Sequence, residues 1–128
     1  MAVLTAGVVN ALVPGAAPAQ AAEDSVAVRA WIDAYVAAWD THDASVLADF
    51  FTDDAYFAMG NQPAARGRQA IQDAWRGYFA NQEPERRLTL DVRTIRFVAP
   101  DVAVVNVGTT TGGRDGEGRE LRARRFRG

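Results

Sequence analysis

Residues able to do chemistry are sparse in this chain, and their spacing says more than their number. The single histidine, His42, carries the side chain whose proton exchange falls nearest neutrality, which makes it the natural candidate for a general base. It sits in Thr41-His42-Asp43, a break between two apolar helical stripes, where a turn-stabilising or solvent-facing role is the simpler expectation. Asp53-Asp54 is a carboxylate doublet. Adjacent residues of a strand point to opposite faces, so these two are expected to bond turn amides or an arginine rather than share a proton. One histidine, no cysteine and no HExxH spacing give no metal site to expect. Gly112-Gly113 and Gly116-x-Gly118 are followed by no helical segment, so they do not read as a phosphate loop, and no cofactor is expected. What remains is a set of large, weakly polar side chains, Tyr35, Trp39, Tyr56, Met59, Trp75 and Phe79, with the amide of Asn106. Such residues either fill a core or line an apolar pocket that holds a few polar groups. Asn106 interrupts an otherwise apolar stretch from Val102 to Val107, and an amide buried there needs a partner.

The elements that must position these residues follow from periodicity. Val28, Trp31, Ile32, Tyr35, Ala38 and Trp39 recur at three- and four-residue spacing, the stripe of an amphipathic helix that Asp24 or Ser25 would cap. Asp43 is placed to cap a second short helix whose buried face is Val46, Leu47, Phe50 and Phe51. Ala55 to Met59 shifts to a two-residue period, which predicts a strand, and Gly60 to Gly67 reads as loop. Ile71, Ala74, Trp75, Tyr78 and Phe79 return to helical spacing, ended by Asn81 to Glu85 with Pro84. Leu88, Leu90 and Val92 then alternate, and the apolar phase slips before Ile95 and Phe97. A one-residue slip turns every side chain to the other face, so either a bulge lies near Arg93-Thr94 or the strand is buried on both sides. A turn at Ala99-Pro100-Asp101, a second long strand from Val102 to Thr111, a glycine-rich connection and a third strand from Arg119 complete the pattern. Helices first and a meander afterwards predict an α+β domain, three N-terminal helices packed on one face of a curved antiparallel sheet in the order α-α-β-α-β-β-β.

Composition bounds the rest. The 128 residues suit one domain, and 48% hydrophobic with 23% charged residues is ordinary globular usage. A net charge of −2 gives no general attraction to nucleic acid or to an anionic membrane. Residues 1–21 combine an apolar run from Ala2 to Val13, a Pro-Gly-Ala stretch and Ala19-Gln20-Ala21, a small-x-small cleavage pattern. They are expected to be an export signal cleaved near Ala21, with residues 22–128 as the domain. A positive charge ahead of the apolar run is missing, which leaves two alternatives: a start that lies upstream, or an Ala-rich tail on a cytoplasmic protein. The apolar run is too short for a stable membrane anchor.

The Tyr-Val-Ala-Ala-Trp helix end at 35–39, the Asp-Asp-Ala strand entry at 53–55 and Gly-Arg-Gln-Ala-Ile at 67–71 resemble the nuclear-transport-factor-2-like superfamily of cone-shaped α+β domains. This superfamily includes ketosteroid isomerases and SnoaL-like polyketide cyclases, and the spacing is most similar to SnoaL-like members of the SgcJ/EcaC type. The resemblance implies a small, mostly apolar or aromatic ligand at the open end of a cone lined by Tyr35, Trp39, Tyr56, Met59, Trp75, Phe79 and Asn106. It also implies homodimerisation through the sheet. Tyr35 matches the tyrosine with which ketosteroid isomerases donate to an enolate. The base position falls on Met59, whose thioether accepts no proton, and the late acid falls within Leu121 to Arg124, where no carboxylate stands. Isomerase, cyclase or hydratase chemistry with Tyr35 as donor therefore stands beside two alternatives: a non-catalytic association module, and a truncated fragment. The last is raised because family members continue beyond Arg124-Arg125-Phe126-Arg127-Gly128 with strands that complete the sheet.

Overall fold

A computed structural model describes residues 18–60 and 62–126. The first helix, α1 (Pro18–Asp40), begins upstream of the expected Asp24 or Ser25 cap. Proline suits a first helical position because its fixed φ is already helical. Residues 1–17 of the expected leader lie outside the described residues, and positions 18–21 form the first turn of α1. Among the described residues no helix is long and apolar enough to cross a membrane. From the expected stripe of α1, Ile32, Tyr35, Ala38 and Trp39 are buried. Helix α2 (Ala44–Ala48) is capped by Asp43 as its sequence suggested, with the carboxylate accepting from the Ser45 and Val46 amides. Its buried face is Ala44, Leu47 and Ala48, not the expected set. Val46 turns to solvent and Phe50 and Phe51 follow the helix, because five residues are too few to carry a four-residue stripe.

Strand β1 (Tyr56–Phe57) pairs antiparallel with β2 (Ala65–Arg66), a short strand inside the expected loop. Gly67 then opens α3 (Arg68–Ala80) at φ 85°, with its amide on the Ala55 carbonyl at 2.7 Å. A methyl group there would meet the Asp53 carbonyl at 3.2 Å, in a conformation L-residues rarely adopt. On α3 the side chains of Ile71, Trp75 and Phe79 are buried and Tyr78 is half-buried.

The main sheet is antiparallel in the order β3-β4-β5, formed by β3 (Arg87–Ala99), β4 (Val102–Arg114) and β5 (Glu120–Phe126). Its inner face carries the pairs Leu88/Thr111, Leu90/Thr109, Val92/Val107, Ile95/Val105 and Phe97/Ala103. The register shifts between Val92 and Thr94, at the position the broken alternation predicted, so both halves of β3 keep their apolar residues inward. The outer face presents Arg87, Thr89, Asp91, Thr94, Arg96 and Asn106 to solvent. Helices on the inner face and an exposed outer face make this the expected α+β arrangement.

Helices and sheet are joined at one corner. Asp40, the last residue of α1, accepts the Leu88 amide at 2.9 Å, and His42 Nε2 donates to the Arg86 carbonyl at 2.8 Å. The buried Arg86 side chain donates from Nε to Glu83 at 2.9 Å and from Nη1 to the Arg122 carbonyl at 3.2 Å. Arg122 lies where β5 shifts register against β4, so this guanidinium satisfies a carbonyl in a disrupted stretch of the ladder. Gly113, at φ 138° on the facing strand, lies so close to the Glu85 carbonyl that an added Cβ would stand 2.6 Å from it. Gly113→Ala is therefore expected to destabilise the protein by about 1–3 kcal/mol through strain and displacement of the Glu85–Arg86 backbone. Urea unfolding checks this: a lower midpoint at unchanged slope is the expected result. Hydrogen bonds from Ser45 and Val46 hold the Asp43 carboxyl below its ordinary range. Its stabilising contribution is thus present above the unfolded-state value and lost as pH falls through the lower folded one. Asp43→Asn is expected to flatten the acid limb of the stability–pH curve measured by circular dichroism.

Candidate functional site

Aromatic packing occupies most of the space between the helices. Trp31 stacks on Tyr35 with centroids 5.6 Å apart, and Phe50 meets both edge-on. One turn along, Trp39 meets Phe79 edge-on at 5.3 Å, and Trp75 stacks on Phe79 at 5.5 Å. Tyr35, Trp39, Trp75 and Phe79 are thereby buried in one core cluster, against which Met59 packs half-buried. Tyr56 lies on the exposed side of β1 beneath the Arg66 guanidinium, 5.1 Å from its ring centre. Asn106 is exposed opposite Thr94, so the expected buried amide is not there. The alternation of β4 is the reason: Val105 and Val107 face inward, so Asn106 between them faces outward, and the slip at Val92/Thr94 brings Thr94 outward to meet it. The seven expected lining residues therefore divide, four into the core, one at its margin and two on the surface.

His42 is held rather than free. It adopts a left-handed backbone at φ 56°, stacks on Phe79 with ring centroids 4.9 Å apart, and commits Nε2–H to the Arg86 carbonyl. This is the turn-stabilising role its position suggested. The Asp53 and Asp54 side chains are exposed in the turn before β1, and Asp53 pairs with Arg68 at 3.3 Å. Burial alone pushes the Tyr35 phenol up, so it stays a neutral hydroxyl, able to donate and not to act as a base.

The unexpected feature lies between α3 and β4. The Tyr78 hydroxyl, the Thr111 hydroxyl and the Trp75 indole N–H are buried without hydrogen-bond partners. Tyr78 and Trp75 are in edge-to-face contact with centroids 5.4 Å apart. The Tyr78 and Thr111 hydroxyls are close enough to interact, though not in hydrogen-bonding geometry. Burial raises the Tyr78 phenol, an effect opposed by the charges of Arg124 and Arg86. Thr111 is only 1% exposed and stands opposite Leu88 on one side and Arg124 on the other. Leaving a hydroxyl unpaired in such a place costs about 1–3 kcal/mol, so three donors together require an explanation. In the sequence, Tyr78 was legible only as one more member of a helical stripe and Thr111 only as a strand terminus.

Two surface clefts lie elsewhere. One, of about 430 Å³, is lined by Trp31, Asp49, Phe50, Phe51, Thr52 and Arg68, and the other, of about 620 Å³, includes His42, Gln72, Arg76 and Gln82. Most of their polar groups are engaged: Arg68 with Asp53 and the Phe51 carbonyl, Arg76 with Asp73, His42 with Arg86. The Thr52 hydroxyl, in the first cleft, is buried without a partner. Among the described residues, the buried side-chain polar atoms left unpartnered outside this cleft are those of Tyr78, Thr111 and Trp75. Among the described residues no group of histidine, cysteine or carboxylate side chains could hold a metal ion.

Residues 32–127 match the family model described as a SnoaL-like domain. Among solved structures, one described as an aromatic ring hydroxylase from Novosphingobium aromaticivorans superposes with a TM-score of 0.65 at 25% identity, covering 77% of this chain and 71% of that one. A protein of the same organism described as a scytalone dehydratase gives 0.68 at 18% identity, with 82% and 68% covered. One from Xanthomonas campestris, described as a calcium/calmodulin-dependent protein kinase II association domain, gives 0.62 at 22%, with 92% and 82% covered. The last two likenesses bear on the fold alone. No curated protein matches the sequence.

The unpaired Thr111 hydroxyl gives a direct check on this geometry. Thr111→Val replaces it with a methyl group of similar shape, so the ligand-free protein is expected to gain up to about 1 kcal/mol. A loss of stability in thermal unfolding would mean that the hydroxyl is paired after all.

Proposed function

The chain belongs to the SnoaL-like domain family, and on that premise we propose that it holds a small, largely apolar molecule bearing oxygen, with the oxygen against Tyr78, Thr111 and Trp75. The observation that carries this reading is the trio of buried, unpartnered donors. The indole N–H can only donate, and the two hydroxyls can donate as well, so the complement is an acceptor oxygen. The apolar remainder has a wall to lie on, since Leu90, Val92 and Val107 continue the inner face beyond Thr111 and are half-buried.

Chemistry on such a ligand would rest on donors. Neutral hydroxyls aimed at a carbonyl stabilise negative charge as it develops there, the requirement shared by proton transfer and by addition or loss of water next to a carbonyl. A base is harder to find. Asp40 accepts the Leu88 amide, His42 has committed Nε2–H, and the position aligned with the isomerase base is Met59, packed against the core. The reading is therefore of a binding domain whose donors polarise the ligand. Tyr35 serves it from the core, holding Phe50 and Phe51 in place through ring contacts. The association-module alternative rests on the fold alone, and the polar outer face of the sheet would have to form its contact.

Thermal unfolding in the presence of 1-tetralone, 2-naphthol, methyl 2-naphthoate and 2-naphthoate tests this reading. At a hundred times its Kd a ligand adds about 2.7 kcal/mol of stability. At least one of these bicyclic compounds is expected to raise the Tm, and the Tyr78→Phe/Thr111→Val double variant is expected to lose that shift. A shift that the double variant retains, or none with any compound, would overturn the proposal.

A further inference from the structure

We propose that the ligand is a carboxylate, with its carboxyl group recognised by Arg124 at the rim and by the Tyr78 and Thr111 hydroxyls beneath it. This rests on the binding reading above and adds the charge of the ligand's polar end. Three observations carry it.

The first is position. Thr111 and Arg124 are direct cross-strand partners of β4 and β5, and such partners share a face with Cβ atoms about 5 Å apart. Arg124 therefore stands on the inner face beside the buried Thr111, with its own side chain exposed.

The second is supply and demand. Arg124 carries five N–H donors, and the acceptor described for them is Gln82 Oε1 at 3.5 Å, the limit of a hydrogen bond. Among the described residues no carboxylate pairs with Arg124. The nearby Glu83 is spent on the buried Arg86, and Arg86 is itself occupied by Glu83 and the Arg122 carbonyl. The site thus offers a guanidinium bound only at the limit of a hydrogen bond and two unpartnered hydroxyls, with the unpartnered Trp75 indole on the ring that packs against Tyr78. A neutral carbonyl has two lone pairs and no charge, so it would leave donors unpaired. A carboxylate offers about four lone-pair directions in a plane that matches the guanidinium fork.

The third is the field. Arg86 and Arg124 both act on Tyr78 as positive charges, while Glu83 is the negative charge that acts on it. Positive surroundings favour an anion as the acceptor, because a full charge gains more from that field than the carbonyl dipole of a neutral ester does.

The discriminating experiment is calorimetric titration of the full chain with 2-naphthoate and with its methyl ester at low and at moderate salt. The carboxylate is expected to bind about tenfold or more tightly than the ester, in keeping with a charge-assisted bidentate pair. Because Arg124 is exposed, that preference should shrink as salt rises. Arg124→Gln, a surface change that leaves the core untouched, is expected to bring the two affinities within about twofold while ester binding stays as it was. Equal binding of acid and ester by the wild type, or an Arg124→Gln variant weakened equally for both, overturns the carboxylate assignment and leaves the binding reading intact. Failure of both compounds, together with 1-tetralone and 2-naphthol, overturns the two together.

Discussion

The fold hangs on a guanidinium. Arg86 is 1% exposed, and a charge taken that far from water is tolerated only when its hydrogen bonds are met. Meeting them dictates where three parts of the chain go. Glu83 must turn back from the end of α3, the register shift in β5 must present the Arg122 carbonyl, and Gly113 must let the Glu85–Arg86 backbone approach β4. The Arg86 carbonyl then accepts a hydrogen bond from His42 Nε2–H, which ties the end of α1 to the start of β3. Glu83 remains partly in water, so its Coulombic share is modest. The geometric share is larger, because each partner is a different element.

With that corner set, the aromatic residues divide the interior into a filled half and an unsatisfied half. Ring contacts of Tyr35 with Phe50 and Phe51, and among Trp39, Trp75 and Phe79, use the apolar bulk of the helices and exclude water. The same packing seals the Tyr78 and Thr111 hydroxyls and the Trp75 N–H away from solvent without supplying acceptors. A core under selection for stability alone would have a valine at Thr111 and a phenylalanine at Tyr78. On the proposed reading, a ligand oxygen supplies the acceptor that the core does not. A shared fold hosts many functions, so this reading rests on those atoms rather than on the dehydratase or hydroxylase named among the similar structures.

Much of the framework was legible because it follows from local rules. The Asp43 cap, the break at His42, the end of α3 near Pro84 and the bulge near Arg93-Thr94 each depend on residues within a few positions of one another. The misses have physical causes too. Val46 faces water because α2 is too short for its stripe, and Asn106 faces water because it lies between the inward-facing Val105 and Val107 in the unbroken alternation of β4. The expected pocket residues proved mostly to be core because an aromatic stripe is spaced identically whether it meets a ligand or another ring.

By itself the sequence determined the order of the helices and of all strands but the short β2, the handover from helical to two-residue periodicity and the family, since these reside in patterns that neighbouring residues impose on the backbone. Only the tertiary structure decided which polar groups go unsatisfied. Tyr78 lies far from Thr111 in sequence, on a helix rather than a strand, and Thr111 meets Arg124 only through the register of β4 on β5. Whether a donor finds an acceptor depends on what every other element brings within about 3 Å of it, and no local pattern encodes that distance.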